Sequence, residues 1–483
     1  MKSQIKKFDP EKCWTLLFLL CFLIVSLVLI DKALLSALVC LAVCALAAYR
    51  WGARNYGLWL FLIALFLRVA VVLIVKTPAE SDFAILFDAA QGVLAHDYSF
   101  LDTLYFRLWP YQMGFVFFQS LLLRLWNNIL ILKLFNCVIS AATTVLVYLL
   151  AREFAGERSS RLVSLLYCFL PFPLFYVTVL SNQFFASFLI YLGIYLFLSS
   201  GITLPGWSRA LLLAALLALA NLLRPESVIP LLAAALYLIL TARRQNFREN
   251  LGQLVILLAA YFALSRLISA LFAVSGLSPD GLANNAPHWK FVLGFNHDTL
   301  GGYSNGDLPY LEDDGAAWAV VKERVLVPVP QLLRLFAGKI ATFWRGGDLY
   351  WSFSYCWNTG LPLAGFTVNT AELVPTLTDM AGRLAGSLYL LVLIGVFRWA
   401  GRASRDRRVL LLVNQVFVTF GVYLLIEVQP RYFYHVQISV VILAALGVEA
   451  LARSLRRRAG PPVPREGPAA DSQVPERMEA HET

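Results

Sequence analysis

Long apolar runs separated by short charged clusters fill most of the chain. A helix that crosses the hydrocarbon core of a bilayer needs about 20 mostly apolar residues. Runs of that kind occupy 13–30, 33–49, 57–75, 128–150, 161–180, 184–200, 209–223, 228–242, 251–272, 382–398, 409–427 and 434–452. They predict an all-α polytopic membrane protein with about twelve transmembrane helices.

Polar interruptions define two large loops. The first, 76–127, carries Glu80, Asp82, Asp88, His96, Asp97, Asp102 and Arg107 among aromatic residues. Acids this close to a bilayer are costly unless they sit in water or in a polar cavity. The second, 273–381, begins rich in Gly, Pro and Asn. It later holds VPQLLRLFAGKIATFW, whose apolar residues recur at helical spacing with Arg334 and Lys339 between them. That pattern predicts an amphipathic helix lying on the membrane surface.

Lysine and arginine orient the chain, because short cytoplasmic loops carry the excess of both. Lys2, Lys6, Lys7 and Lys12 place the N-terminus inside, and Arg50 and Arg54 follow two runs later. The third run then delivers the acidic loop to the outside. The cluster Arg152, Arg158 and Arg161 must return inside, yet two apolar runs, 111–126 and 128–150, lie in between. One of them cannot cross. YQMGFVFFQSLLLRLW is the shorter, is aromatic and carries Arg124 near its end, so it is expected to lie flat on the outer surface. With that choice the clusters Arg243–Arg248, Arg398–Arg408 and Arg453–Arg458 all fall inside. Both termini are then cytoplasmic. The expected organisation is a helical hairpin over 1–56, a transmembrane catalytic unit over 57–452 and a disordered, Pro-rich tail over 453–483.

Composition agrees. The chain is 59% hydrophobic and 14% charged, with a mean hydropathy of +0.69, where a soluble chain carries roughly 25% charged residues. A net charge of +10 would point a soluble protein toward nucleic acid. Here the basic residues sit in the inside clusters, and no nucleic-acid partner is expected. Of the seven cysteines only Cys356 lies outside an apolar run, and no disulfide frame or zinc spacing is present. There is no GxxxxGK[ST], Ser elbow or HExxH. The absence of any Asn-x-Ser/Thr acceptor suits the cytoplasmic membrane of a bacterium.

The candidate chemistry lies outside. In Glu80-Ser81-Asp82 one carboxylate can take a proton while the other holds charge, or both can share a divalent cation such as Mg or Mn. Asp82 is the leading base. Asp88 reads as a solvated helix position, and His297-Asp298 as an exposed turn. Arg107, Arg224 and Arg431 are the external arginines close to the bilayer. A guanidinium holds phosphate through two parallel hydrogen bonds, which suits a lipid-phosphate headgroup. Arg107 and Arg431 are the substrate-binding candidates, the latter in EVQPRYFYHV beside Glu427, Gln429 and His435. Arg224 and Glu226 read instead as a mutual pair.

Five segments, TPAESDFAILFDAAQGVL, PYQMGFVFFQSLLLRLW, AREFAGERSSRLVSLL, LLRPESVIPLLAA and VQPRYFYHV, lie between Thr77 and Val436, and the likeness they carry covers most of the chain from about Gly57 to Ala452. Together they resemble the GT-C fold glycosyltransferases. The nearest likeness is to the bacterial, family 39-like branch related to protein O-mannosyltransferases and the lipid A aminoarabinose transferase. The resemblance implies sugar transfer outside the cytoplasm from a polyprenyl-phosphate donor to a glycan, lipid or protein hydroxyl. It also implies an acidic base in the first external loop, where Asp82 falls with Glu80 beside it, and in some members a divalent metal. Tyr111 and Gln112, in the PYQMG that opens the second segment, are expected to contact substrate. This chain departs from the mannosyltransferase pattern of adjacent Asp-Glu, because Ser81 separates the acids and their order is reversed. The WWDYG motif of oligosaccharyltransferases is absent.

Two rival functions fit many spans. A transporter or flippase of lipid-linked sugars predicts charges buried at mid-membrane and paired half-repeats. A surface-glycan polymerase or ligase predicts that the activity resides in 273–381. The orientation is testable directly: alkaline phosphatase fused after Asp97 is expected to be active and after Arg244 inactive. The reverse pattern would invert the topology.

Overall fold

The computed structural model describes residues 10–28, 55–402 and 405–458, and nearly all of its regular structure is helical. Helix α1 is Pro10–Val28, α2 is Tyr56–Ile74 and α3 is Asp82–Ala95. Then come α4 (Met113–Leu125), α5 (Ile129–Phe154), α6 (Glu157–Phe169) and α7 (Gln183–Leu198). They are followed by α8 (Gly206–Leu223), α9 (Val228–Thr241) and α10 (Phe247–Val274). The second loop holds α11 (Trp289–Gly294), α12 (Asp314–Val325) and α13 (Val329–Phe343). The chain ends with α14 (Thr370–Ala400), α15 (Val409–Leu425) and α16 (Tyr434–Arg458). A hairpin of two three-residue strands, Leu361–Leu363 and Phe366–Val368, turns through Ala364 and Gly365 at positive φ.

Among the described residues six helices are long and apolar enough to cross a membrane, or up to eight if each of two bent pairs is one span. The expected twelve are therefore not all present as full-length helices. The run at 33–49 lies outside the described residues. Those at 184–200, 228–242 and 409–427 form apolar helices of 16, 14 and 17 residues. The run at 161–180 breaks at Pro171, where the chain bends by 54° into a short second helix. Proline removes a helical hydrogen bond and restricts the residue before it. Pro328 and Pro330 stand at the other break, where α12 and α13 meet at 105°.

Helix α4 has 13 residues. At 1.5 Å per residue that is about 20 Å, short of a hydrocarbon core of about 30 Å. Its buried face, Met113, Val116, Ser120 and Leu123, packs on α3, α5 and α8. Helix α10 is different. Val255, Phe262 and Leu271 are exposed, which suits a helix whose surroundings are lipid rather than water.

Packing centres on α14 and α16 and on the helices around them. Arg68 of α2 is fully buried and has neutral partners: its Nε donates to Ser140 Oγ at 2.7 Å and its Nη2 to Thr144 Oγ1 at 3.3 Å, both on α5. Trp14 Nε1 donates to Asn414 Oδ1 at 2.8 Å, and Asn414 Nδ2 to the Ala233 carbonyl at 3.2 Å, tying α1, α15 and α9 together.

The two large loops are sewn to one another by backbone. Tyr111 N donates to Ala283 O at 3.1 Å and Asn285 N to Leu108 O at 2.9 Å. Glu427 N donates to Lys290 O and Val428 N to Gly301 O, both at 2.8 Å. The first loop, the start of the second and the α15–α16 turn thus form one cap over the bundle end.

Helices α14 and α16 touch through glycine. A Cβ on Gly447 would lie 2.0 Å from the Leu391 carbonyl oxygen, and one on Gly395 2.4 Å from Gly447 N. Small residues let helix backbones approach this closely. Gly447→Ala must push the two helices apart and is expected to cost about 1–3 kcal/mol, read as a lower midpoint of thermal unfolding in detergent. Gly421→Ala, where nothing lies within 4 Å, is the control expected to change little.

Candidate active site

Asp82 is the first residue of α3. The residue before it, Ser81, has φ 53° and ψ −137°, a conformation that costs a non-glycine residue roughly 1–3 kcal/mol and is held only by its surroundings. The flanking loop is fixed: Thr77 Oγ1 donates to Ser352 O at 2.7 Å, and Lys76 N to the Tyr355 hydroxyl at 3.0 Å. This anchoring turns Asp82 into a cavity of about 270 Å³. The same residue lines an adjoining cavity of about 630 Å³, and Tyr111, Gln112, Lys290, Glu427, Arg431 and Tyr432 are also common to both.

Arg431 closes one side. Its Nη2 stands 3.7 Å from Asp82 Oδ2, and Asp82 remains half exposed. The guanidinium lies over the rings of Phe83, Trp351 and Tyr432, at 5.2, 5.5 and 5.7 Å from their centroids. Such stacking holds a cation at a fixed height. Its Nε has no hydrogen-bond partner.

Two further ion pairs line the smaller cavity. Arg224 Nη2 meets Glu226 Oε1 at 2.5 Å, Arg224 Nη1 donates to Asn182 Oδ1 at 3.1 Å, and Arg224 Nε has no partner. Glu226 also accepts from the Tyr423 hydroxyl at 3.1 Å and has His435 Nδ1 3.6 Å away. Burial pushes the Glu226 carboxyl up, but Arg224 beside it more than reverses this and holds it below the ordinary range. Lys290 pairs with Glu427, which is 1% exposed and also accepts from Gln429 Nε2 at 2.6 Å and Tyr432 Oη at 3.3 Å. Burial raises Glu427 too, and Lys290 and Gln429 outweigh it, so its pKa is lowered.

The expected site residues are brought together in part. Asp82, Arg431, Tyr111 and Gln112 line the cavities; Gln112 Nε2 donates to the Tyr105 hydroxyl at 3.1 Å while its Oε1 is unpartnered. Glu80 and Arg107 line neither. Glu80 Oε2 accepts from Ser354 Oγ at 2.6 Å, and the Arg107 side chain is exposed. Asp88 and Asp298 are exposed as expected, and His297 Nε2 is 2.8 Å from the Arg324 carbonyl. Lys290, Glu427 and Tyr432 are lining residues that the sequence reading did not assign to the site. Arg224 and Glu226 are paired, as their spacing suggested, and lie in the cavity wall as well.

A divalent cation shared by Glu80 and Asp82 does not fit this arrangement. Glu80 is committed to Ser354, and Asp82 faces a guanidinium, which repels a second cation. Among the described residues no three His, Cys, Asp or Glu side chains are grouped to hold a metal.

Residues 113–268 match the family model of dolichyl-phosphate-mannose-protein mannosyltransferase, which is less than half of the chain. The match begins beyond Asp82 and ends before Arg431. The match therefore falls on the helices from α4 into α10 and leaves out most of the first loop and all of the second. No curated protein is matched. The oligosaccharyltransferase of Archaeoglobus fulgidus, tethered with an acceptor peptide containing the NVT sequon, is similar at 13% identity and a TM-score of 0.46, over 84% of this chain and 51% of that one. Its complex with an inhibitory peptide and a dolichol-phosphate gives 14% and 0.42, over 85% and 53%. Its complex with Zn and sulfate gives 14% and 0.45, over 83% and 50%. The chain spans about half the length of these solved structures.

The Lys290–Glu427 pair yields a stability test. Lys290→Met strands a buried carboxylate, which is expected to cost about 1–3 kcal/mol at neutral pH. The thermal midpoint should fall, and the double variant with Glu427→Gln should recover part of it. A lowered carboxyl pKa contributes stability above its unfolded value that is lost as pH falls through the folded one. The wild-type protein should therefore lose its advantage over Lys290→Met as the pH is taken below the ordinary carboxylate range.

Proposed function

We propose that this protein is a membrane glycosyltransferase that moves a sugar from a polyprenyl-phosphate donor to an acceptor hydroxyl on the extracytoplasmic side. The observation that carries the reading is the half-exposed Asp82 carboxylate at a cavity that Arg431, Arg224 and Lys290 also line.

Asp82 receives the proton of the acceptor hydroxyl as that oxygen attacks the anomeric carbon. The bond from this carbon to the phosphate oxygen breaks, with inversion, and its electrons leave with the phosphate. Arg431 and Arg224, each with an unpartnered Nε, and Lys290 receive the charge that grows there. The larger cavity, walled by Trp109, Trp289 and Trp351, suits a sugar ring, whose C–H faces pack on aromatic surface.

Charge supports the assignment. In the smaller cavity Arg224, Lys290 and Arg431 match Asp82, Glu226 and Glu427 one for one. Protonation of Asp82 leaves the wall net positive in the same step in which the departing phosphate gains a negative charge. The sum over protein and substrate stays constant, and no charge has to be brought in from solvent.

Asp82→Asn keeps the shape and removes the base. Transfer is expected to fall about 10²–10⁴-fold while the protein reaches the membrane at normal levels. The measurement is mass spectrometry of surface glycans and lipids from cells lacking the gene and complemented with each variant. Asp88→Asn, at an exposed position away from the cavities, should restore the modification fully. A wild-type pattern from Asp82→Asn would remove Asp82 from the reaction.

A further inference from the structure

A separate cavity of about 560 Å³ lies at the other end of α16. Helix α16 starts at Tyr434, just past Tyr432 of the Asp82 cavities, and carries Ala450, Arg453 and Arg457 of this one, so the two sites stand roughly 30 Å apart at 1.5 Å per residue. The walls of this cavity carry Lys12 of α1, Arg398 and Arg402 at the end of α14, Arg405, and Arg453 and Arg457 on the last turns of α16. Among the described residues no Asp or Glu lines it. Glu11 and Glu449 neutralise part of the charge from behind, through Arg405 and Arg453. Arg398, Arg402 and Arg457 are exposed and remain on the cavity side of the balance.

The other half of the lining is apolar. Leu16 of α1 and Phe397 of α14 are 65% and 66% exposed, and Leu20 and Leu455 beyond them are also exposed. Charge at the rim and apolar surface leading away along the helices match an amphiphile with an anionic head. They match a free anion poorly, since it would leave the apolar half uncovered.

We infer that this basic cavity binds the phosphate headgroup of an anionic phospholipid, with its acyl chains along the exposed apolar faces of α1 and α14. The lysine and arginine distribution puts this end on the cytoplasmic side, where anionic lipid attracts basic clusters. The inference is independent of the transfer reaction, because none of these residues lines the Asp82 cavities.

The test uses the full chain purified in detergent and stripped of lipid. Phosphatidylglycerol is added, and binding is followed by native mass spectrometry and by the thermal midpoint. Wild type is expected to hold phosphatidylglycerol in preference to phosphatidylcholine and to be stabilised by it. Replacing the exposed Arg398, Arg402 and Arg457 together by Gln should weaken that binding by about tenfold or more. Arg243→Gln with Arg244→Gln, a basic pair elsewhere in the chain, should leave it unchanged. Equal binding of phosphatidylcholine would overturn the inference, as would undiminished binding by the triple variant or an equal loss in the control pair. If inorganic phosphate alone reproduces the stabilisation, the site takes a free anion and the lipid assignment fails. Should the triple variant not fold, Arg402→Gln and Arg457→Gln are read singly, and no loss in either overturns it equally.

Discussion

Glu427 sits just past an apolar helix with 1% of its side chain exposed. A carboxylate in that position is tolerable only with its charge matched and its oxygens engaged. Lys290 supplies the charge from a different loop, and Gln429 and Tyr432 supply hydrogen bonds. The same requirement recurs around the cavity: Arg431 needs Asp82, and Glu226 needs Arg224, Tyr423 and His435. Each ion pair except Arg224–Glu226 joins segments far apart in sequence. The first loop, the α8–α9 turn, the second loop and the α15–α16 turn must therefore all be in place before any of these charges is comfortable. The site and the fold of the cap are specified by one set of contacts.

The apolar runs make the helical character of the fold legible, because hydropathy is local. Charge counting sets 111–126 apart from the spanning runs, and the helix that forms there has 13 residues, too few to span. Asp82 and Arg431 were visible for a similar reason. Each is an ionisable group at the mouth of an apolar run, where a solvated role and a site role are the main options. The break at Pro171 was also present in the sequence, but a run scored on hydropathy alone passes over it.

What stayed hidden is non-local. Lys290, inside HWKFV, looks like one polar position on an otherwise apolar turn; its meaning comes from Glu427, which is 137 residues away. Glu80 and Arg107 have the right residue types and the wrong surroundings. Glu80 is turned to Ser354 by the sewing of the 76–80 segment to 352–355, and Arg107 follows the exposed face of a short turn. Arg224 and Glu226 show a different limit. Mutual pairing and a site role read as alternatives in the sequence, whereas a cation held by a neighbouring carboxylate still has an unpartnered Nε to offer.

The three carboxylates of the smaller cavity are not equivalent, and their difference follows from what a phosphate requires. A phosphate approaching free carboxylates would be repelled. Glu226 is largely and Glu427 fully buried, and both are paired and hydrogen-bonded, so their charge is spent on the cations and their oxygens are turned to protein donors. Asp82 is half exposed, and its contact with Arg431 is longer than either of the other pairs. A base must remain open to its proton donor, and a contact at 3.7 Å can be given up at lower cost than a short one. In the proposed transfer, a proton taken by Asp82 would end its hold on Arg431, and the guanidinium, which lies over three aromatic rings, would be left to face the phosphate with unmatched charge. The strained backbone at Ser81 is consistent with this division of labour: it aims the one loosely held acid of the three into the cavity.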